Sequence, residues 1–510
     1  MNVNANIDQL LKRQLVDQPN APVVTDTLGV SWTYSDLNGA VDDLVRQLQM
    51  CGVKANDRVL VLLENCASVV AVVFACARLQ AVVIPLNARQ TQSEVERVVA
   101  HANPAVILFC SEVSQDAAAH ARRMNGNSIR GDFGELEIVV VGSCPDSGLS
   151  GVATILYTTG TTGTPKGVML THQNLLFAGA ASMVTRELVP ADVSYGVLPI
   201  SHVFGLASVL VANCTAGSHI RLAPRFTRAD LYAALTSGVT VLSAVPQMHA
   251  QLMQYTKEQG YDRLPSTTLR YVSSGAAPLD PVWKRKTEQF YGVPVQNGYG
   301  LTETTAGVCL TRHKHSNDDI SVGVPVDGVD IQLNFNATGA IGDIGEIQIR
   351  GGGNMKGYYR NEEQTRLVLS ADGWLCTGDL GRFDEHGNLH VVGRSKELII
   401  HSGFNVYPPE VEAVLNDHPQ VIQSAVVGHA VEGDELVYAF VEAAAHDWPQ
   451  EAELRSFVSQ RLAGYKRPAR IVIAERLPAA VTGKILKNRL LELLVPDAEI
   501  EAVQSPKVAQ

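Results

Sequence analysis

The stretch Tyr157-Thr-Thr-Gly-Thr-Thr-Gly-Thr-Pro-Lys-Gly167 follows directly on the apolar run Val152-Ala-Thr-Ile-Leu156. A short apolar run ending in glycine and hydroxyl residues reads as a buried strand feeding a mobile, polar turn. Five threonines, three glycines and one lysine share these eleven positions. Glycines let the backbone approach an anion closely, hydroxyl and N–H groups donate to phosphate oxygens, and Lys166 supplies charge. The ordinary P-loop needs Gly before its Lys and Ser or Thr after it. Here Pro165 precedes Lys166 and Gly167 follows it. A flexible Thr/Gly linker would lack the preceding strand, so the stretch is read as a phosphate loop of another kind.

Outward from this loop, helical and strand-like runs alternate. Ser35 is a plausible cap for a helix carrying Leu37, Val41, Leu44 and Leu48 at helical spacing. Strands are expected at 57–63 and 81–85, with an apolar helix from Ala67 between them. A second cycle runs through a strand at 239–245, a helix at 248–259 and a strand at 269–273. Such alternation implies parallel sheets covered by helices, an α/β fold. From Gly323 the texture changes to short strands with Gly and Asp turns, a β-rich subdomain at about 323–393. Beyond Gly393 comes a helix opened by Pro408-Pro409, strands at 421–428 and 436–441 and a helix at 453–462. The expected division is an N-terminal domain at 1–393 and a small mobile α+β domain at 394–510, with the last residues from 496 frayed.

The chain of 510 residues is too long for one ordinary core. Its formal net charge of −11 argues against a nucleic-acid partner, which demands a basic face. The most apolar run, 67–77, stops at Arg78, short of the ~20 residues a membrane span needs. The N-terminus has neither a basic start nor an apolar signal core. The eight cysteines form no close pair and no metal spacing along the chain. A cytoplasmic enzyme, monomer or homodimer, is the resulting expectation.

The loop at 157–167 resembles the signature loop of the adenylate-forming superfamily, which includes acyl- and aryl-CoA ligases, luciferases and adenylation domains. Further segments are similar in the same order: Pro199-Ile-Ser-His202, Ser273-Ser-Gly-Ala-Ala-Pro278, Asn297-Gly-Tyr-Gly-Leu-Thr-Glu303 and Thr377-Gly-Asp379. The series continues through Gly393-Arg-Ser-Lys-Glu397, Ser402-Gly-Phe-Asn-Val-Tyr-Pro408 and Thr482-Gly-Lys484. The resemblance covers about Gly29 to Leu490.

It implies two half-reactions. A carboxylate attacks the α-phosphorus of ATP to give an acyl adenylate and pyrophosphate; the thiol of coenzyme A then attacks the acyl carbon. Like charges meet in the first step, so positioning and electrostatics must carry the catalysis. By resemblance, Thr158, Thr159, Gly160, Thr161 and Thr162 with Lys166 hold the β and γ phosphates. Glu303 is the implied magnesium ligand, a hard oxygen donor, and Thr302 corresponds to the α-phosphate contact. Tyr299 offers a flat face to adenine, with Gly275, Ala276, Asn297 and Gly298 around it. Asp379 is an acceptor suited to the ribose hydroxyls, and Arg394 corresponds to a ribose or phosphate contact. Lys484 matches the catalytic lysine, Lys396 the hinge, and Ser402 and Gly403 the wall of a pantetheine tunnel. His202 lies between acid pocket and tunnel in relatives.

The implied acid pocket is lined by His202, Phe204, Ser274, Gly275, Gly298, Gly300, Thr304 and Thr305. Residues 201–205 contain no acidic group to meet an ammonium, which implies a neutral acid, and the depth left by Gly298 favours an aryl(propenoic) or medium- to long-chain fatty acid over a compact benzoate. The expected function is an ATP- and magnesium-dependent acid–CoA ligase. The alternative is an acyl-adenylate ligase that loads the phosphopantetheine of a carrier protein.

Overall fold

The computed structural model describes residues 6–158, 166–265, 267–275, 279, 281–431, 434–444, 448–479 and 485–494. The chain divides into two compact units: 1–333 with 347–377 and 383–390, and 334–346 with 378–382 and 391–510.

Two large sheets organise the first unit. One runs in the order Gly357–Tyr358, Lys166–Thr171, Val152–Thr158, Val82–Asn87, Arg58–Leu63, Val106–Phe109, Gly134–Val140, Asn127–Gly131. Its central strands Val82–Asn87, Arg58–Leu63 and Val106–Phe109 are parallel, and Val152–Thr158 joins Val82–Asn87 in the same sense. Val152–Thr158 and Lys166–Thr171 pair antiparallel. All six residues of Arg58–Leu63 are buried, the continuous apolar pattern of a strand covered on both faces. The second sheet pairs Val193–Gly196, Val241–Ala244, Tyr271–Ser274 and Val295–Leu301 in parallel, then turns antiparallel at Ala306–Leu310.

The helix Ala67–Arg78 buries Ala67 through Ala77, which explains why it reads as apolar all round. Among the described residues no helix is long and apolar enough to cross a membrane. The helix expected from Ser35 spans Tyr34–Met50, and its cap is Thr33, not Ser35. The Thr33 side chain accepts from Asp36 N while Asp36 accepts from Thr33 N, a reciprocal capping box one turn wide. All eight cysteines are free, and the nearby Cys66 thiol together with burial raises the Cys110 pKa.

Four strands, Val329–Asn334, Gly345–Gly351, Leu375–Phe383 and Leu389–Arg394, form one sheet, and the chain passes between the units within them. The second unit contains the antiparallel pair Gln423–Val431 and Asp434–Glu442, extended in parallel by Arg470–Ala474. The helices Pro408–Asn416 and Glu451–Ser459 contribute Val411, Leu415, Leu454 and Val458 to its core.

Candidate active site

In the hairpin that opens the phosphate loop, Thr158 is the register partner of Lys166. Thr159, Gly160, Thr161 and Thr162 lie outside the described residues, as do Ala276 and Lys484. Lys166 is half-buried; its Nζ donates to Gln364 Oε1 at 2.9 Å and stands 5.1 Å from the centre of the Tyr358 ring. At the tip of that ring, the Tyr358 hydroxyl donates to Glu303 Oε1 at 2.9 Å. Cation, phenol and carboxylate thus stand in series. Burial, then the Glu303 charge, pushes the Tyr358 pKa far above the ordinary phenol value.

Three elements supply this line. Lys166 opens a strand, Tyr358 ends the two-residue strand that pairs with it, and Glu303 sits in the short helical turn Thr302–Thr304. Met355 N donates to Glu303 O at 2.8 Å, which pins the turn beside the Tyr358 strand. Neither Tyr358 nor Gln364 is singled out by the sequence. The only signal was an aromatic pair behind Gly357, and such a pair reads as core.

The glycine-rich run 297–303 is shaped by the strand beside it. Gly298 is the register partner of Leu310, with an irregularity after Tyr299, whose partner is Cys309. A Cβ on Gly300 would stand 1.7 Å from Ala306 O, so no side chain fits there. A Cβ on Gly298 would meet Cys309 O and Leu310 Cγ, both at 3.1 Å. Asn297 is buried and its Nδ2 donates to Ile320 O at 3.2 Å and Ser321 O at 3.0 Å. Its amide is therefore committed to fixing the 320–321 loop. Thr304 Oγ1 donates to backbone carbonyls of Leu301 and Ala306, and Thr305 Oγ1 to Gly353 O at 2.6 Å. Both threonines are buried and hold the turn that carries Glu303.

His202 precedes a π-helix, Phe204–Val211, an uncommon form often found at functional sites. Gly205 is required there, because a Cβ would stand 2.2 Å from Pro199 O. The His202 side chain stays accessible within a crowded recess, and burial lowers its pKa. Half-buried Phe204 packs over Gly275, where a Cβ would stand 3.0 Å from Phe204 Cε1. Ser274 is buried and closes the strand Tyr271–Ser274, just before Gly275.

Within the second unit, Asp379 is buried and its Oδ1 pairs with Arg394 Nε at 2.9 Å. Lys396 is exposed in the short turn Ser395–Glu397. Ser402 and Gly403 form the two-residue turn between Ile399–His401 and Phe404–Val406. Both have positive φ, 52° and 78°, and nothing lies within 4 Å of a Cβ built on Gly403. Ser402 N donates to Asp434 Oδ1 at 2.7 Å, fixing the turn to its neighbour strand.

Among the described residues no three His, Cys, Asp or Glu side chains cluster as metal ligands. The half-buried Glu303 carboxylate suits a hard cation that takes most of its oxygens from substrate phosphates and water.

The model of AMP-binding enzymes matches residues 11–359, and that of the AMP-binding enzyme C-terminal domain matches residues 410–484. The 2-succinylbenzoate–CoA ligase of Geobacillus kaustophilus is 32% identical over 92% of this chain and 94% of its own. The feruloyl-CoA synthase of an Amycolatopsis species is 33% identical over 91% and 94%. The o-succinylbenzoate coenzyme A synthetase of Bacillus subtilis, solved with ATP and magnesium, superposes with a TM-score of 0.79 at 27% identity. That match covers 94% of this chain and 98% of that one. The same enzyme with its acyl-adenylate intermediate gives a TM-score of 0.79 at 28% identity, covering 96% and 98%.

Proposed function

The chain belongs to the AMP-binding enzyme family, and from that premise we propose that it is an AMP-forming acid–CoA ligase. It joins a carboxylic acid to ATP as an acyl adenylate and then transfers the acyl group to coenzyme A. The observation that carries this reading is the series Lys166–Tyr358–Glu303, a cation over one ring whose hydroxyl holds a carboxylate. Lys166 and the threonines beside it hold the β and γ phosphates. Glu303 holds magnesium, which neutralises the triphosphate so that a carboxylate can approach it. Thr302 meets the α-phosphate, and Tyr299, Gly275, Ala276, Asn297 and Gly298 surround adenine. The committed amide of Asn297 makes it a rigid wall that offers the base shape and few free donors.

Asp379 accepts from the ribose hydroxyls, oriented by Arg394. Lys484 bridges acid and α-phosphate in the first step. Rotation near Lys396 then replaces Lys484 with the Ser402–Gly403 turn, whose open glycine passes the pantetheine. His202, accessible and held neutral by burial, lies beside the acyl carbon. The acid is aromatic, the kind that the names of the relatives suggest, or a medium- to long-chain aliphatic one. ATP and coenzyme A are cytoplasmic substrates, which places the enzyme there.

Release of AMP and pyrophosphate with a panel of acids, with and without free coenzyme A, tests this reading. AMP formation only with a phosphopantetheinylated carrier would overturn the choice of coenzyme A. Absence of acid-dependent ATP–pyrophosphate exchange would overturn adenylation.

A further inference from the structure

Arg186 closes the helix His172–Thr185 and is 4% exposed. Among the described residues no carboxylate pairs with it. Its Nη1 donates to Ser208 O, its Nε has no hydrogen-bond partner, and its guanidinium lies 6.0 Å from the centre of the Phe204 ring. The buried Tyr271 stands close enough to act on its charge, and the Tyr271 hydroxyl, like Nε of Arg186, has no hydrogen-bond partner among the described residues. A buried guanidinium stays charged, and a buried charge without a counter-ion is costly. Structural arginines here have their donors engaged: Arg270 ends on Asp192, and the fully buried Arg58, which has no carboxylate partner among the described residues, donates to the carbonyls of Asn56, Ala102, Asn103 and Cys144, whereas Nε of Arg186 is left over.

Strand geometry ties Arg186 to the acid pocket. Alternate residues share a face, so Tyr271 and Ser273 lie on one side of the strand Tyr271–Ser274, and Gly275 directly follows its end. Phe204 packs at Gly275, beyond one end of this strand, and Arg186 stands at Tyr271, the other end. From residue 271 to residue 275 the strand advances roughly 13 Å. Phe204 packs against the Gly275 end, its ring centre lies 6.0 Å from the Arg186 guanidinium, and it is only partly buried, so it stands between the two.

We infer that Arg186 is the floor of the acid pocket and takes the second carboxylate of a dicarboxylic acid whose other carboxylate is adenylated. This rests on the reading of the Phe204–Gly275 face as the acid pocket. It departs from the uncharged pocket legible in the sequence, because Arg186 comes from a helix end 16 residues before His202.

The test compares aliphatic and aromatic dicarboxylic acids, spanning about 6–12 Å between carboxyl carbons, with their own monomethyl esters. An ester keeps one carboxylate for activation and masks the other. For at least one diacid, wild-type kcat/KM should exceed that of its ester by at least about tenfold, as for a site that loses a built-in polar partner. Arg186→Gln should abolish that ratio while ester activity persists, and Arg186→Lys should restore part of it. The wild-type ratio needs no variant, so a misfolded Arg186→Gln leaves the inference testable. Esters used as well as or better than every diacid by the wild type would overturn it, as would an unchanged ratio in a folded Arg186→Gln. If no acid of any kind supports AMP formation, the ligase reading fails, not the assignment of Arg186 within it.

Discussion

The Tyr358 hydroxyl donates to Glu303 Oε1 at 2.9 Å while the Lys166 ammonium stands 5.1 Å from the centre of the same ring. One phenol therefore orients the proposed magnesium ligand and flanks the proposed phosphate cation. Tyr358→Phe keeps the ring and removes only the hydrogen bond to a charged group, worth about 1.5–3 kcal/mol. ATP–pyrophosphate exchange should fall roughly tenfold at limiting magnesium and recover toward the wild-type rate as magnesium rises. Glu303→Gln, which removes the ligand itself, should lose about 10²-fold or more and not recover. Titrating exchange against magnesium separates the two. An unshifted magnesium curve in Tyr358→Phe would show that the phenol is only part of the core.

Lys484→Ala should lower adenylation by about 10²-fold or more, as expected for loss of a preorganised charge at the transition state. Thioester formation from supplied acyl adenylate should change far less, since the lysine has no role once pyrophosphate has left. Measuring both half-reactions on one preparation decides the matter. Equal losses would rule out a division of labour between two conformations.

Much of this molecule was legible in its sequence because its strands and loops carry strong local signals. The buried strand Arg58–Leu63 and the buried helix Ala67–Arg78 are apolar throughout, and a period of that kind needs no tertiary knowledge to read. The motif order likewise named Lys166, Glu303 and Asp379 as candidates, and folding brings the first two to one tyrosine. What stayed hidden depends on contacts between distant segments. Tyr358 meets Glu303 across 55 positions and Lys166 meets Gln364 across 198. No spacing rule reaches that far. The glycines were legible as types but not as reasons: the Ala306 carbonyl excludes a side chain at Gly300, a constraint imposed by the neighbouring strand. Thr33 in place of Ser35 as the helix cap is an error of two positions, the usual uncertainty at helix ends.

Gly403 separates two effects that a substitution mixes. Its φ of 78° makes any side chain strained there, whereas the space around it is open. Gly403→Ala should therefore cost about 1 kcal/mol of local stability through backbone strain and leave both half-reactions nearly intact. Gly403→Trp adds bulk at the same backbone cost, so it should block coenzyme A while sparing ATP–pyrophosphate exchange. Steady-state kinetics with coenzyme A varied, alongside exchange, gives both readings. Loss of exchange in Gly403→Ala would identify the turn as a folding element and remove it from the tunnel.

Stability should weaken on the acid side of neutrality through two histidines outside the site. Burial holds His172 at a pKa of about 4, against a small opposing pull from Asp8. It holds His249 at about 4 as well, with the Tyr291 hydroxyl 2.9 Å from Nδ1. In the unfolded chain an imidazole takes up its proton near pH 6.5. Between about 6.5 and 4 the unfolded state thus binds more protons, so acid favours unfolding. The contribution of each histidine is complete above 6.5 and is lost as pH falls toward 4. It amounts to as much as roughly 3 kcal/mol per group. Replacing His249 with Gln keeps a partner for Tyr291 and removes one titration. Denaturant midpoints measured from pH 7.5 to 4.5 should then show the slope reduced by about 1.4 kcal/mol per pH unit. An unchanged slope would mean that His249 is already reached by water and protonates in the folded state.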